Sequence, residues 1–470
     1  MAQIPILSGI YTDEAADFRS SYPINLMPVP MSNGISPGYL RPADGIVQSG
    51  SGPGICRGGI NWNGVCYRVM GTKLVSIASD GTVTTLGDVG GAVPDQCVLD
   101  YSFDRLAIAS GGNLFYWDGA TLTQVTDPDL GVVLDFVWVD SYFMTTDGEF
   151  LVVTDINNPL SVSPLNYASS EIDPDPINSV MKLRNEIYAV NRYTIELFQN
   201  VGGNGFPFQR QTGAQIQKGS LGTFCSCVFM DMAIAFIGSG RNESPAIYLG
   251  ANASVTKIST REIDEILAGF TETQLSVCLL ESKNAKGQNH LWVHLPDRTL
   301  VYDAISSQII GQPVWFILTS GLDGYATYRA KDLVWCYDRW LIGDISTERH
   351  GYLNDLTSEQ WALPSRWEFG TTIVYGEGRG ILFRELELVC LTGRVSIEDD
   401  PIITTSYSVD GEVWSQEKPV RAGRKGDRVK RIVWFFQGFM ENWRIQRFRG
   451  TSDAFLTIAR LEAQLEPLAV

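Results

Sequence analysis

The chain has 470 residues, 44% of them apolar and 19% charged, and its 53 acidic against 36 basic residues leave a net charge of −17. That length suits one large all-β domain plus a smaller one, or roughly two to four ordinary domains. So anionic a chain is no general binder of nucleic acid or membrane surfaces, which are anionic too, and three histidines argue against a histidine triad or His-based metal catalysis. The first twenty residues lack the basic segment and long apolar stretch of a signal peptide. No run of about 18 apolar residues predicts a membrane span.

Residues 1–37 carry Pro23, Pro28, Pro30 and Pro37 and are expected to form an extended N-terminal arm. From 38 onward, short strands of β-branched and aromatic residues alternate with Asn-Gly, Asp-Gly and Gly-Gly pairs, which accept the positive φ of two-residue hairpin turns. The pairs include Asn33-Gly34, Asn63-Gly64, Asp118-Gly119, Asp147-Gly148 and Asp410-Gly411. A polar or glycine turn residue followed by an apolar strand recurs at Gly64, Asp104, Asp140, Asn185, Asp231, Gln288 and Asp338, with spacings of 40, 36, 45, 46, 57 and 50. A period near 40–50 residues with about four short strands per unit is the signature of a β-propeller. The count gives seven blades, or six if the unit at Asp338 is a linker meander. The segment 38–50 is the candidate strand that closes one blade from the other end of the chain.

The long fifth spacing coincides with the best helical pattern. Residues 259–270 place Ile263, Ile266, Leu267 and Phe270 on one face, and Ser259 and Glu262 match a capping box. The helix either covers a blade edge or docks a partner through its exposed residues Arg261, Asp264 and Glu265. The pattern changes near Leu363-Pro364. Longer alternating strands over 364–470 suit a β-sandwich. Bases and acids balance over 365–470, at 15 each, so the whole acidic excess lies before it. The expected organisation is therefore an all-β chain: arm 1–37, propeller 38–363 with a helix inserted at 259–270, and sandwich 364–470.

Little in the chain reads as chemistry. His290 and His294 share a strand face roughly 13 Å apart, too far for one metal. Glu398, Asp399 and Asp400, and Asp173 with Asp175 around Pro174, are acidic turns without the spacing of a calcium loop. Ser408 to Trp414 approximates the Asp-box turn of sialidase-type propellers with one residue fewer, and that turn is structural. No GxSxG, phosphate-binding glycine loop or HExxH occurs. Cys56, Cys66, Cys97, Cys225, Cys227, Cys278, Cys336 and Cys390 form no CxxC pair and are expected as reduced core thiols of a protein made in a cytosol. The densest charge cluster is basic: Arg421, Arg424, Lys425, Arg428, Lys430 and Arg431, followed by Arg444, Arg447 and Arg449. It reads as a phosphate-contacting patch, as a docking face for an acidic protein, or as a solvated strand and loop face.

Many weak matches in order carry a resemblance: Gly38-Tyr39-Leu40-Arg41, Tyr67-Arg68-Val69, Gly87-Asp88-Val89, His294-Leu295-Pro296, Leu300 to Ala304, Ser306-Ser307-Gln308, Trp315 and Trp443-Arg444-Ile445. In these the chain resembles the packaged-DNA stabilisation proteins of short-tailed phages, also called tail hub or nozzle proteins. The resemblance implies a structural virion protein assembled in the host cytoplasm, not an enzyme, and without a cofactor, catalytic residue or metal. It implies a homohexameric ring below the portal-adaptor ring. Such a ring would meet a tail needle or plug and tail fibres or tailspikes, and pass genomic DNA without gripping it. A propeller-type tail protein that binds or cleaves glycans is the alternative, and paired carboxylates with converging arginines in the central pocket would mark it. A cellular propeller scaffold is the third reading.

Overall fold

Two-residue turns cut the chain into strands. At Asn63-Gly64, φ is 53° and 78° and Trp62 pairs directly with Val65, the geometry of a primed hairpin turn. In the computed structural model every residue is described except 13–17, 32–33, 157, 171–172, 204, 377–379, 398 and 469–470. Asn33 and Glu398 thus lie outside the described residues. The described chain divides into two compact units: 48–296 with 329–352, and 1–47 with 297–328 and 353–470.

The larger unit is a propeller. Antiparallel four-stranded sheets follow in chain order over 56–88, 98–124, 135–169 and 177–216, then a five-stranded one over 219–257. A hairpin of Leu279–Ala285 and Gln288–His294 and the strands of 330–352 come next. The first strands of these sets are Cys56–Trp62, Val98–Tyr101, Asp135–Val139, Ile177–Leu183, Ser226–Phe229, Leu279–Ala285 and Ala330–Cys336. Each lies against the next, and the last lies against the first. The circle has seven members, so the unit at Asp338 is a blade and not a linker. The chain closes it from its beginning, with Gly52 N–H donating to the Glu348 carbonyl at 2.8 Å beside the strand Gly45–Ser51; the earlier part of the expected segment 38–50, Gly38–Pro42, pairs in another sheet.

Stacked blades bury both faces of their middle strands, which is why these strands read as continuous apolar runs and not as alternation. Leu106–Ser110 is buried at every position. One core between the first two blades gathers Trp62, Val69, Leu106 and Ile108. The next gathers Ala107, Tyr116, Phe136 and Phe143. Six of the eight cysteines are buried and all are free thiols; burial pushes the Cys56 thiol up to about 12.

The inserted helix is α1, Arg261–Ala268, burying Ile263 and Leu267. Its cap is Thr260, one residue later than expected, because Ser259 Oγ is engaged by the Ile247 N–H and donates to Asp264. A second helix, α2 (Glu272–Leu275), starts on a capping box of Thr271 and Gln274. A third, α3 (Ala304–Ile310), belongs to the other unit and is capped by Asp303 and the left-handed Gly311. The described residues thus hold three short α-helices where one was expected.

The other unit is a β-sandwich. One sheet orders Leu26–Pro30, Gly38–Pro42, Thr457–Pro467, Ile381–Leu391 and Ile432–Phe435. The second orders Arg366–Gly370, Trp443–Thr451, Ile402–Ser408 and Lys418–Arg421. Leu40, Phe383, Leu386 and Leu461 meet Phe369, Ile403 and Phe448 between them.

The residues expected as an arm differ from that reading. Ala2–Ile4 pairs with Thr457–Pro467, and Leu26–Pro30 pairs with Gly38–Pro42. Ile4, Ile6 and Leu26 are buried in the sandwich core. Asn25, with φ of 51°, donates to the Thr319 and Arg366 carbonyls at 2.9 and 2.7 Å and accepts from Thr319 N–H at 3.0 Å. Prolines in 23–30 suggested an arm, but an edge strand tolerates them, since an edge needs no donor on its open side.

Ile108 is fully buried between the first two blades, so Ile108→Ala should cost about 2–5 kcal/mol. Urea unfolding followed by tryptophan fluorescence measures this. Val429→Ala, at a position 95% exposed, should leave the midpoint where it is.

Candidate partner-binding surfaces

The basic run 421–449 does not stay together as a charged surface. Arg421 lies 2.7 Å from Asp400 and Arg424 3.8 Å from the same carboxylate. Arg431 is held by Glu385 and Glu387 at 3.0 and 2.5 Å. Arg449 bonds Glu368 and Glu417 at 2.6 and 3.1 Å, and Arg447 sits over the Trp414 ring at 4.1 Å. Arg444 is buried between Tyr407 and Phe383 and bonds Gln446 and the Gln437 carbonyl. Burial pulls its guanidinium down to about 10.

Three bases are left over. Lys425, Arg428 and Lys430 are exposed and have no ion pair among the described residues. Their loop is pinned from below. Arg424 N–H donates to Asp427 Oδ2 at 3.0 Å, Thr392 Oγ1 to the Asp427 carbonyl at 2.8 Å, and Gly426 N–H to the Gly393 carbonyl at 3.2 Å. The partners that neutralise Arg421, Arg424, Arg431 and Arg449 lie on other segments, 21 to 81 residues away, so no local pattern marks which bases stay free.

On α1 the expected contact residues are largely engaged at home. Asp264 accepts from Ser259 Oγ at 2.6 Å and pairs with Lys257. Arg261 reaches Glu265 at 3.3 Å, an i,i+4 pair worth a few tenths of a kcal/mol.

The propeller unit carries the paired carboxylates that a glycan-cleaving protein would need. A cavity of about 610 Å³ is lined by Asp100, Asp135, Trp138, Lys182 and Phe103, among others. Both carboxylates are spent on backbone. Asp100 accepts from Trp138 N–H at 2.6 Å and Tyr101 N–H at 2.9 Å. Asp135 accepts from Val180 N–H at 2.8 Å and Phe136 N–H at 2.9 Å. Burial raises both, Asp135 to about 8, against the pull of those amides. Lys182, the one base in the lining among the described residues, lies over Trp138 at 4.9 Å. No arginine converges there, so the arrangement joins blades and offers no acid–base pair to a sugar.

The remaining candidates are also structural. His290 and His294 share the strand Gln288–His294, and His294 Nε2 meets Glu281 at 2.9 Å. Asp173 pairs with Arg241 at 3.3 Å, and Asp175 accepts from Tyr193 N–H at 2.6 Å. Asp410 caps its own turn by accepting from Glu412 and Val413 N–H.

Two family models match the chain. The one described as Bacteriophage P22 Gp10, beta-propeller, covers residues 2–358, and the one described as Bacteriophage P22 Gp10, beta-sandwich, covers 366–466. The tail hub protein gp10 of Salmonella phage P22 is 26% identical over 99% of each chain. Solved structures with some likeness include the Neurospora crassa Pan2 WD40 domain, with 10% identity, a TM-score of 0.42, and coverage of 68% of this chain and 97% of that one. The virginiamycin B lyase of Staphylococcus aureus has 9% identity and a TM-score of 0.42, with 66% and 98% covered.

Asp135 makes stability depend on pH. Its carboxyl keeps a proton in the fold up to about pH 8, while the unfolded chain releases one near pH 4. Folding therefore takes up a proton between those values, and this group's contribution falls as pH rises from about 4 to 8. Asp135→Asn should flatten that part of the profile, whatever it costs in amide bonding. Melting temperatures of both proteins at pH 5 and pH 8 read the difference, and equal slopes would show that Asp135 is ionised.

Proposed function

The chain belongs to the phage P22 Gp10 family of tail hub and packaged-DNA stabilisation proteins, and from that membership we propose that six copies form a hub ring on the portal-adaptor complex of a phage tail. The observation that carries this reading is the match over 99% of both chains, with propeller and sandwich in the same order. The ring would be built in the host cytoplasm and reside in the virion tail. It would extend the portal channel, seat a needle or plug that closes the bore, and hold tail fibres or tailspikes. The side of α1 around the exposed Arg261, and the loop with Lys425, Arg428 and Lys430, are surfaces offered to other subunits of the tail.

The charge suits a conduit. At −17 per chain, a hexamer carries about −100, which repels the phosphate backbone. The genome would then be retained mechanically, by closure of the bore and not by phosphate contacts. Self-neutralisation of Arg421, Arg424, Arg431 and Arg449 supports this, because paired guanidinium groups release few counterions on meeting DNA. The glycan-cleaving alternative loses support from the buried, amide-bonded state of Asp100 and Asp135.

Purified chain added to cognate portal-adaptor complexes should give a six-fold ring by electron microscopy, and a chain that stays monomeric there would refute the proposal. The assembled ring should bind duplex DNA weakly even at low ionic strength. Tight binding with a steep salt slope, lost in Arg424→Ala, Lys425→Ala and Arg428→Ala together, would replace the repelling bore with a phosphate-gripping one.

A further inference from the structure

The acidic excess of the propeller unit is not spread around it. Residues 91–169, the second and third blades with their leading segment, hold eleven acidic residues and one base, Arg105. Arg105 is bound to Asp104. A four-stranded antiparallel blade returns the chain to the end at which it entered. The segment leading into Val98–Tyr101, the segment leading into Asp135–Val139 and the turn after Tyr142–Thr146 therefore open at one end of these sheets. Leu134 N–H donates to the Thr146 carbonyl at 2.9 Å and Val133 N–H to the Gly112 carbonyl at 3.0 Å, tying the segment before Asp135–Val139 to turns at this end of both blades. Asp95, Asp127, Asp129, Asp147 and Glu149 all lie there, whereas Arg105 follows the first strand and lies at the opposite end. Asp95, Asp129 and Glu149 are exposed with no side-chain partner among the described residues. Val93, Val132 and Leu134 are 46%, 54% and 44% exposed between them.

The sandwich unit presents the converse. Lys425, Arg428 and Lys430 surround Val429, the most exposed large apolar side chain of the described residues at 95%. The loop is held by Asp427, Thr392 and Gly393, so little order is lost when it docks. An acidic face with apolar centres and a basic tip with an apolar centre are complementary in both respects.

We propose that the 425–430 tip of one copy docks on the acidic end of the second and third blades of the next copy. Resting on the hub-ring reading, this names the contact that closes the ring. The two surfaces differ, so the contact is head-to-tail, and such contacts generate rings where the rotation closes. Both surfaces are exposed in the single chain, as a contact reserved for assembly requires.

Charge reversal tests it on the full-length chain with portal-adaptor complexes. Lys425→Glu, Arg428→Glu and Lys430→Glu together should raise the concentration needed for ring formation roughly tenfold or more. Asp95→Lys, Asp129→Lys and Glu149→Lys together should do the same. A chain carrying all six changes should recover, and so should an equimolar mixture of the two triple variants, because each then offers the surface that the other lacks. Urea unfolding of each variant separates lost assembly from lost folding, and weaker wild-type assembly at raised salt gives a second, mutation-free readout. Failure of the six-fold variant and of the mixture to recover would overturn the contact. So would triple variants that assemble as wild type does, including the case in which the tip triple loses only duplex-DNA binding. A wild-type chain that forms no ring would remove the hub-ring reading itself, and this contact with it.

Discussion

The first strand of each propeller blade has a neighbour on one side only. In an antiparallel pair every other N–H points away from that neighbour, and in a buried setting each must find an acceptor. Each junction of this propeller places a hydrogen bond at or beside that open edge. Cys97 N–H reaches the Arg57 carbonyl and Leu280 N–H the Phe224 carbonyl. Trp138 and Val180 N–H reach Asp100 and Asp135. Leu333 and Asp332 N–H reach Glu281. Ser179 meets Ser226, and Asn61 donates to the Trp335 carbonyl. The stitch runs through all seven junctions, so each blade is completed by its neighbour.

That constraint decides what the carboxylates near the axis can do. Two aspartates beside a cavity invite a catalytic reading, yet each accepts one amide of its own strand and one of the following blade, and burial holds one of them neutral. The charged groups of the sandwich are used similarly. A strand with Glu385 and Glu387, and connections with Asp400 and Glu417, come against the basic run from elsewhere in the chain. Among the described residues, Lys425, Arg428 and Lys430 on one unit and Asp95, Asp129 and Glu149 on the other stay exposed without an ion pair.

Where the reading from residues fell short, the missing information was long-range. The helix at 259–270 was visible from its period, but its cap moved to Thr260 because Ser259 was recruited by Ile247 and Asp264. α3 escaped because AISSQII has too short an apolar pattern, and only Asp303 and Gly311 at its two ends mark it. The N-terminal residues looked like an arm because their strands are three to five residues long and proline-bearing. The partner of Ala2–Ile4, Thr457–Pro467, lies at the far end of the chain.

The sequence by itself determined the class, the repeat and the blade unit, because turn dipeptides and strand alternation act within a few residues. It also determined that closure would come from the region before the first unit, since an odd strand was left there. Only the tertiary structure decided which charges survive as charges. Whether Lys425 stays free while Arg431 is neutralised depends on a strand more than forty residues away, and whether Asp135 is a candidate acid or a blade stitch depends on where Val180 N–H points. The electrostatic state of these groups is set by neighbours in space that are distant in sequence, and local sequence carries no record of those neighbours.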